Sequence, residues 1–377
     1  MMRILADARS RLSNGIRNLL PEKKADLYFV APGSGWAVDW VAHYLMKELA
    51  EKSIRARITT RPAAIANSLI HFLDRYQYLD GRWRTIPESN TIFMTWYHAD
   101  ADDPHPSVRK LYDELRSAAP RIDRIVTSCE TSRQDLLRFG IPKTKIILIP
   151  IGIDLSVFRP PRSPQEKVDA RRALGIPDDA VCIGSFQKDG VGWDEGLEPK
   201  LIKGPDIFLE AIKRLKPDHE KLFVLLSGPA RGFVVKGLER MGIPYLHRNL
   251  SEYHDIVKFY HALDLYLIAS RVEGGPKSLM ESWACGVPLV STRMGMPADL
   301  IHHGENALMA DVDDVEGLVR HIKQFLESPA LRERCTRQGR ADVLPLDWPR
   351  LAERHYQEVY LPHLPARLPA GMRRKAV

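Results

Sequence analysis

The strongest constraint on the fold is an alternation. Short apolar runs trade places with amphipathic helical patterns along most of the chain. Residues 27–31 form an apolar run of strand length, followed by a turn at Gly33-Ser34-Gly35. Val38, Val41, Ala42, Leu45 and Leu49 then recur at helical spacing. Residues 57–59, 91–96, 124–128 and 145–150 read as further strands, and 62–73, 107–119 and 131–139 as helices. Residues 158–164, with three prolines and two arginines, read as a linker. The alternation then restarts. Strands are predicted over 181–185, 222–227, 264–269 and 287–291, with one more near Tyr245, and helices over 204–215, 256–262 and 276–285. Strands alternating with helices imply parallel sheets with right-handed crossovers. The expected architecture is α/β: two Rossmann-like domains facing a central cleft, with ligands at the carboxyl ends of the strands.

A length of 377 residues allows two such domains, and 44% hydrophobic with 27% charged residues excludes a disordered or fibrous chain. The longest run without charged or strongly polar residues is eight, as in residues 146–153, far short of a membrane span. Cys129, Cys182, Cys285 and Cys335 fit no metal or redox spacing, so a reducing cytoplasm is expected. Residues 1–160 carry 24 Lys and Arg against 18 Asp and Glu, whereas residues 161–340 carry 25 against 26. The positive excess therefore lies in the first half. Leu5, Ala8, Leu12, Ile16 and Leu19, interspersed with Arg3, Arg9, Arg11 and Arg17, form a basic amphipathic pattern. It suits peripheral contact with an anionic membrane, or packing on the first domain. No nucleic-acid reader module is present, so nucleic acid is not an expected partner.

The chemistry is concentrated in residues 270–292, SRVEGGPKSLMESWACGVPLVST. A strand ends near Ser270 and Glu273 follows in the loop. Gly274 and Gly275 allow close backbone approach, and Pro276 suits a first helical turn. A helix N-terminus behind two glycines is a site for a pyrophosphate. Glu281 lies about a turn and a half into that helix, where a carboxylate can take a ribose diol while Glu273 faces a sugar.

This segment resembles the donor-site signature of the family-4 retaining glycosyltransferases, the glycosyl transferases group 1: a Glu, seven residues, a second Glu, then Ala-Cys-Gly-Val-Pro. Residues 149–160 (IPIGIDLSVFRP), 295–308 (GMPADLIHHGENAL) and 346–360 (LDWPRLAERHYQEVY) resemble three further passages of the family. The resemblance implies the GT-B fold. Residues 1–160 would form an acceptor domain, joined by a returning helix at 346–360. Residues 161–345 would form the nucleotide-sugar donor domain, with 361–377 as a tail. It implies no metal and no cofactor, because backbone dipoles and basic side chains neutralise the leaving phosphate.

The resemblance assigns residues as follows. Glu273, His98 and Lys203 are the catalytic candidates. The helix start Gly274, Gly275, Pro276, Lys277, Ser278 and Leu279 takes the pyrophosphate, and Glu281 the ribose. Lys203-Gly204 matches the end of the family's phosphate-gripping Arg…Lys-Gly segment. Phe186 stands where the Arg is usual, an insertion of about a dozen residues follows, and Lys188 is the nearest cation. Gly33, Ser34 and Gly35 approach the donor from the first domain, and Arg248 lies beside the nucleobase. Retention is expected by front-face substitution, since no enzymic nucleophile is evident. The acceptor is expected to be a glycan, a glycolipid or a small molecule, used in cell-surface glycan assembly at the inner face of the membrane. Asp100-Ala101-Asp102 has the form of a manganese site, but an acidic acceptor-side loop is the preferred reading. The fold also serves epimerases, phosphorylases and non-catalytic sugar-nucleotide binders.

Overall fold

The structure, a computed structural model, describes residues 24–31, 37–98 and 106–364. The first sheet holds β1 (Leu27–Val30), β2 (Ala56–Thr59), β3 (Leu69–Phe72), β4 (Thr91–Trp96), β5 (Arg124–Thr127) and β6 (Ile146–Leu148). Their spatial order is β2-β1-β3-β4-β5-β6, parallel throughout. Helices α1 (Ala37–Ala50), α2 (Pro106–Ala118) and α3 (Glu130–Arg138) accompany it.

The second sheet holds β7 (Val181–Phe186), β8 (Leu222–Ser227), β9 (Tyr245–Arg248), β10 (Leu265–Ile268), β11 (Leu289–Thr292) and β12 (Leu308–Ala310). Its order is β12-β11-β10-β7-β8-β9, also parallel. Its helices are α4 (Pro164–Leu174), α5 (Pro205–Leu215), α6 (Gly232–Met241), α7 (Ile256–Ala262), α8 (Lys277–Cys285), α9 (Gly295–Leu300), α10 (Val315–Glu327) and α11 (Pro329–Asp342). Finally α12 (Trp348–Arg354) runs on as a π-helical stretch, His355–Tyr360, over the first sheet.

The central strands are apolar along their whole length because helices cover both faces. All six residues of β8 and all four of β1 are buried. The second sheet has the dinucleotide-binding strand order, whereas the first is wound 2-1-3-4-5 with a sixth strand added. Each sheet has a switch point where the chain changes direction, between β1 and β3 in the first and between β7 and β10 in the second.

The helix expected over residues 62–73 is instead a 3-10 turn, Pro62–Ala64, followed by β3. Asn67 has φ 53°, which ends any helix there, and Leu69–Phe72 are buried between β1 and β4. Tertiary burial overrides the Ala-rich local pattern. Pro276 caps α8 from an extended conformation rather than occupying its first turn.

Two crossings join the domains. The chain leaves the first domain through Gly152 and Ile153 and returns at Asp347 and Trp348. Ile153 N donates to Leu346 O (3.0 Å) and Trp348 N to Ile153 O (3.0 Å). A side chain on Gly152 would collide with the Trp348 indole, which stacks on Tyr44 of α1 with centroids 5.3 Å apart. One core cluster runs from Phe29 and Leu45 through Trp348 to Leu279 and Trp283. Each such side chain contributes about 1.5–3 kcal/mol on burial.

Under α12, the His71 ring nitrogens meet Tyr360 Oη (2.7 Å) and Thr95 Oγ1 (2.9 Å). Burial holds His71 well below the usual imidazole range and brings the neighbouring His355 down to about 3. The unfolded chain takes up these protons from about pH 6.5, and the folded chain does not. Stability is therefore complete above that pH and is lost as pH falls towards 3. Thermal melts between pH 8 and pH 4 should show this slope, and His355→Leu should flatten it. An identical slope in that variant would show that His355 is not a source of the acid lability.

Candidate functional site

The loops leaving the carboxyl ends of β7 and β10 meet at the second switch point. After β10, Arg271 N and Val272 N both donate to Ile202 O (2.9 and 3.0 Å). These bonds tie the loop to the 3-10 turn Leu201–Lys203. Gly204 follows at φ 62°, where a Cβ would collide with the Ala269 carbonyl. Glycine is required there by conformation and by space. The result is an ion pair between Lys203 Nζ and Glu273 Oε1, with both side chains largely buried. Two of the predicted catalytic residues, seventy positions apart in sequence, thus touch.

Gly274 packs against the first domain, and a Cβ on it would strike the Tyr97 carbonyl oxygen. That oxygen accepts from Ser132 Oγ (2.7 Å), and Gly274 O accepts from Met296 N (2.8 Å). Gly275 is enclosed by Met296 and Ile151. His98, next to Tyr97, is brought to the same place. Burial and the positive charges of Lys203, Arg75 and Lys200 hold its imidazole well below the ordinary range, so it is neutral at pH 7. Gly274→Ala forces the two domains apart at this contact. Transfer should fall at least about 100-fold, as expected for a misplacement of about 1 Å, while circular dichroism reports an intact fold. Full activity in that variant would show that the contact does not matter.

At the start of α8, nothing among the described residues accepts from the backbone N–H groups of Lys277 and Ser278. These N–H groups and the helix dipole favour an anion. Leu279 was expected to bind the donor. Its side chain is fully buried in the core and its N–H donates to Pro276 O (3.1 Å), so it is a packing residue. Lys277 lies over the Tyr253 ring at 3.7 Å, and burial lowers its ammonium to about 8.

Glu281 is 4% exposed, and both of its oxygens are taken. Tyr253 Oη donates to Oε1 and Tyr260 Oη to Oε2 (2.7 Å). Burial, with Glu281 beside them, raises both phenols well above their usual range. The open carboxylate expected from sequence is therefore a carboxylate already hydrogen-bonded by two tyrosines. Tyr253 also reaches the first domain, where its ring meets Trp40 (5.4 Å) and the next residue, His254, bonds Tyr44 Oη (2.9 Å).

Phe186 turns into an aromatic cluster with Phe259, Tyr260 and Tyr266. Lys188 donates to Gly190 O (2.9 Å) and lies over Trp193, so it braces the insertion. An arginine not foreseen in the sequence, Arg231, lies beneath the end of β7. Its Nη1 donates to the carbonyls of Ser185 (2.7 Å), Gln187 (3.1 Å) and Ser227 (3.2 Å). Its Nε is 3.0 Å from Asp189 Oδ1, with neither side chain exposed. Arg248 is exposed at the end of the edge strand β9. It is three strands from β10, about 14 Å, a distance suited to the far end of a nucleotide. Gly33, Ser34, Gly35, the Asp100–Asp102 run and the basic amphipathic segment lie outside the described residues.

Residues 197–342 match the family model of the glycosyl transferases group 1. The D-inositol 3-phosphate glycosyltransferase of Acidothermus cellulolyticus is 28% identical over 68% of this chain and 56% of its own length. The lipopolysaccharide core biosynthesis glycosyltransferase LpsE of Rhizobium meliloti is 34% identical over 36% of this chain and 40% of its own. This chain thus spans less than two thirds of the length of these relatives. Among solved structures, Anabaena HepE in complex with UDP and glucose superposes with a TM-score of 0.69. The match covers 88% of this chain and 98% of HepE at 15% identity, a likeness of fold.

Proposed function

We propose that this chain, whose residues 197–342 match the family model of the glycosyl transferases group 1 and which has the GT-B fold, is a retaining glycosyltransferase. It moves a sugar from a nucleotide-diphosphate donor to a hydroxyl acceptor in cell-surface glycan or glycolipid assembly, without a divalent metal. The observation that carries this reading is the Lys203–Glu273 pair at the second switch point, opposite neutral His98. Lys203 and the open N–H groups of α8 meet the leaving phosphate, where charge develops in the transition state. Glu273 orients the sugar hydroxyls and His98 hydrogen-bonds the sugar. The acceptor hydroxyl attacks the face from which the nucleoside diphosphate departs and passes its proton to the departing phosphate oxygen. The ribose diol reaches Glu281 by displacing the Tyr253 hydroxyl. UDP and UDP-glucose occupy HepE, which supports a uridine donor. The acceptor stands at the first domain and is anionic or membrane-held, as the charge of residues 1–160 favours. On this reading the protein works at the cytoplasmic face of a membrane.

Thermal melts with UDP, GDP and their sugars provide the test. A ligand at about 100 times its Kd adds about 2.7 kcal/mol, a rise in Tm of several degrees. A rise with uridine nucleotides alone, and transfer that survives EDTA, are the expected results. No rise with any nucleoside diphosphate would overturn the proposal.

A further inference from the structure

Under the proposed function, Glu281 takes the donor ribose and Lys277 stands at the helix start that takes the pyrophosphate. In the structure, one side chain engages both. Lys277 and Glu281 lie four positions apart on α8, so they share a face of the helix. Tyr253 stands across from that face, at the start of the 3-10 turn Tyr253–Asp255 that precedes α7. Its hydroxyl donates to Glu281 Oε1, and its ring lies 3.7 Å from Lys277 Nζ. A cation over a phenol face is held there by the ring quadrupole. The Lys277 ammonium forms no ion pair with a carboxylate among the described residues.

The same ring meets the first domain. Trp40 of α1 lies 5.4 Å from it, and Phe158 lies 5.6 Å from it. The next residue repeats the contact. The His254 ring is 4.8 Å from that of Trp40, and its Nε2 bonds Tyr44 Oη at 2.9 Å. Tyr253 is thus wedged between α8 of one domain and α1 of the other. A phenol hydroxyl lies on the axis of χ2, so turning the ring in place cannot move it. Only a change of χ1 or of the backbone takes Oη away from Glu281, and either sweeps the whole ring. Tyr253 cannot release Glu281 and keep its contacts with Lys277 and Trp40.

We infer that Tyr253 stands in for the donor and ties donor binding to the first domain. Its hydroxyl takes the place of a ribose hydroxyl on Glu281, its ring holds the ammonium of Lys277, and a nucleotide that takes both pushes the ring off Trp40. Trp40, a residue of the acceptor domain, thereby sets the affinity for the donor. Linkage makes the effect reciprocal, so the bound nucleotide loosens the contact between α1 and the Tyr253 turn by the same factor. This inference rests on the proposed function, which supplies the nucleotide.

Calorimetric titration of UDP, with GDP in parallel, into the wild type, Tyr253→Phe and Trp40→Leu tests it. Phenylalanine keeps the ring against Lys277 and Trp40 and removes only the hydroxyl. Without nucleotide, Tyr253→Phe should melt below the wild type, because the buried Glu281 loses a donor. Its nucleotide affinity should nevertheless rise at least about fivefold, since a hydrogen bond to a charged group no longer has to be broken. Trp40→Leu relaxes the wedge from the other domain and should tighten the same nucleotide about threefold, the scale of one aromatic pair. A side chain that merely braced the pocket would lose stability and affinity together. Affinity unchanged or weakened in Tyr253→Phe would therefore overturn the inference. Affinity unchanged or weakened in a folded Trp40→Leu would overturn the tie to the first domain. Binding of neither UDP nor GDP to the wild type would instead overturn the proposed function.

Discussion

Glu273→Gln is expected to slow sugar transfer by about 100- to 1,000-fold while leaving the melting temperature within a few degrees of wild type. The diagnostic result lies in binding. In the free protein, Lys203 is shared with Glu273, so a donor phosphate competes with a carboxylate for the same ammonium. Glutamine removes the competitor without changing the shape of the loop. UDP should then bind at least as tightly as to the wild type even as turnover collapses. A residue that merely shaped the loop would lose binding and turnover together. Calorimetry of UDP alongside steady-state transfer assays distinguishes the two. Transfer at the wild-type rate would remove Glu273 from the reaction.

Arg231→Met is expected to destabilise the protein by about 3–5 kcal/mol, or about 10 °C in Tm. The loss has two parts. Three carbonyls at the ends of β7 and β8 lose a donor, and Asp189 is left as an unpaired charge with no exposure. Burial already raises the Asp189 carboxyl above its usual range despite Arg231. Without the arginine it should protonate more readily still, so the deficit of the variant should shrink as pH falls. A double variant with Asp189→Leu should recover part of the loss, because an apolar pair of similar volume avoids the desolvation of two ions. Chemical unfolding at about pH 7.5 and about pH 5, on either side of the usual histidine pKa of about 6.5, measures both effects. A deficit that stays constant with pH would show that the stranded carboxylate is not its cause.

Local pattern made most of the fold readable. Apolar runs such as residues 222–227 and spacings such as Val38, Val41, Leu45 and Leu49 stand where the strands and helices are. β3 was hidden because Ala63, Ala64 and Ala66 imitate a helix, while the forces that make Leu69–Phe72 a strand come from β1 and β4. In the site, Glu273, Gly274, Gly275 and Glu281 sit in one contiguous segment, and so does the Lys203-Gly204 pair. What sequence does not display is who answers them. Tyr260 reaches Glu281 from another helix and Tyr253 from the turn before it, and Tyr97 meets Gly274 from the other domain. Such pairings are set by strand order, and the two sheets differ in theirs.

The paired crossings at Ile153 and Asp347 make the first domain discontinuous in sequence. A protease that cuts once at the exposed Arg162 would leave a single particle, because the last helix still lies over the first sheet with Tyr360 bonded to His71. The halves are laced rather than strung. Rotation of one against the other twists two parallel ties at once, so the cleft opens about a fixed hinge line instead of swinging freely.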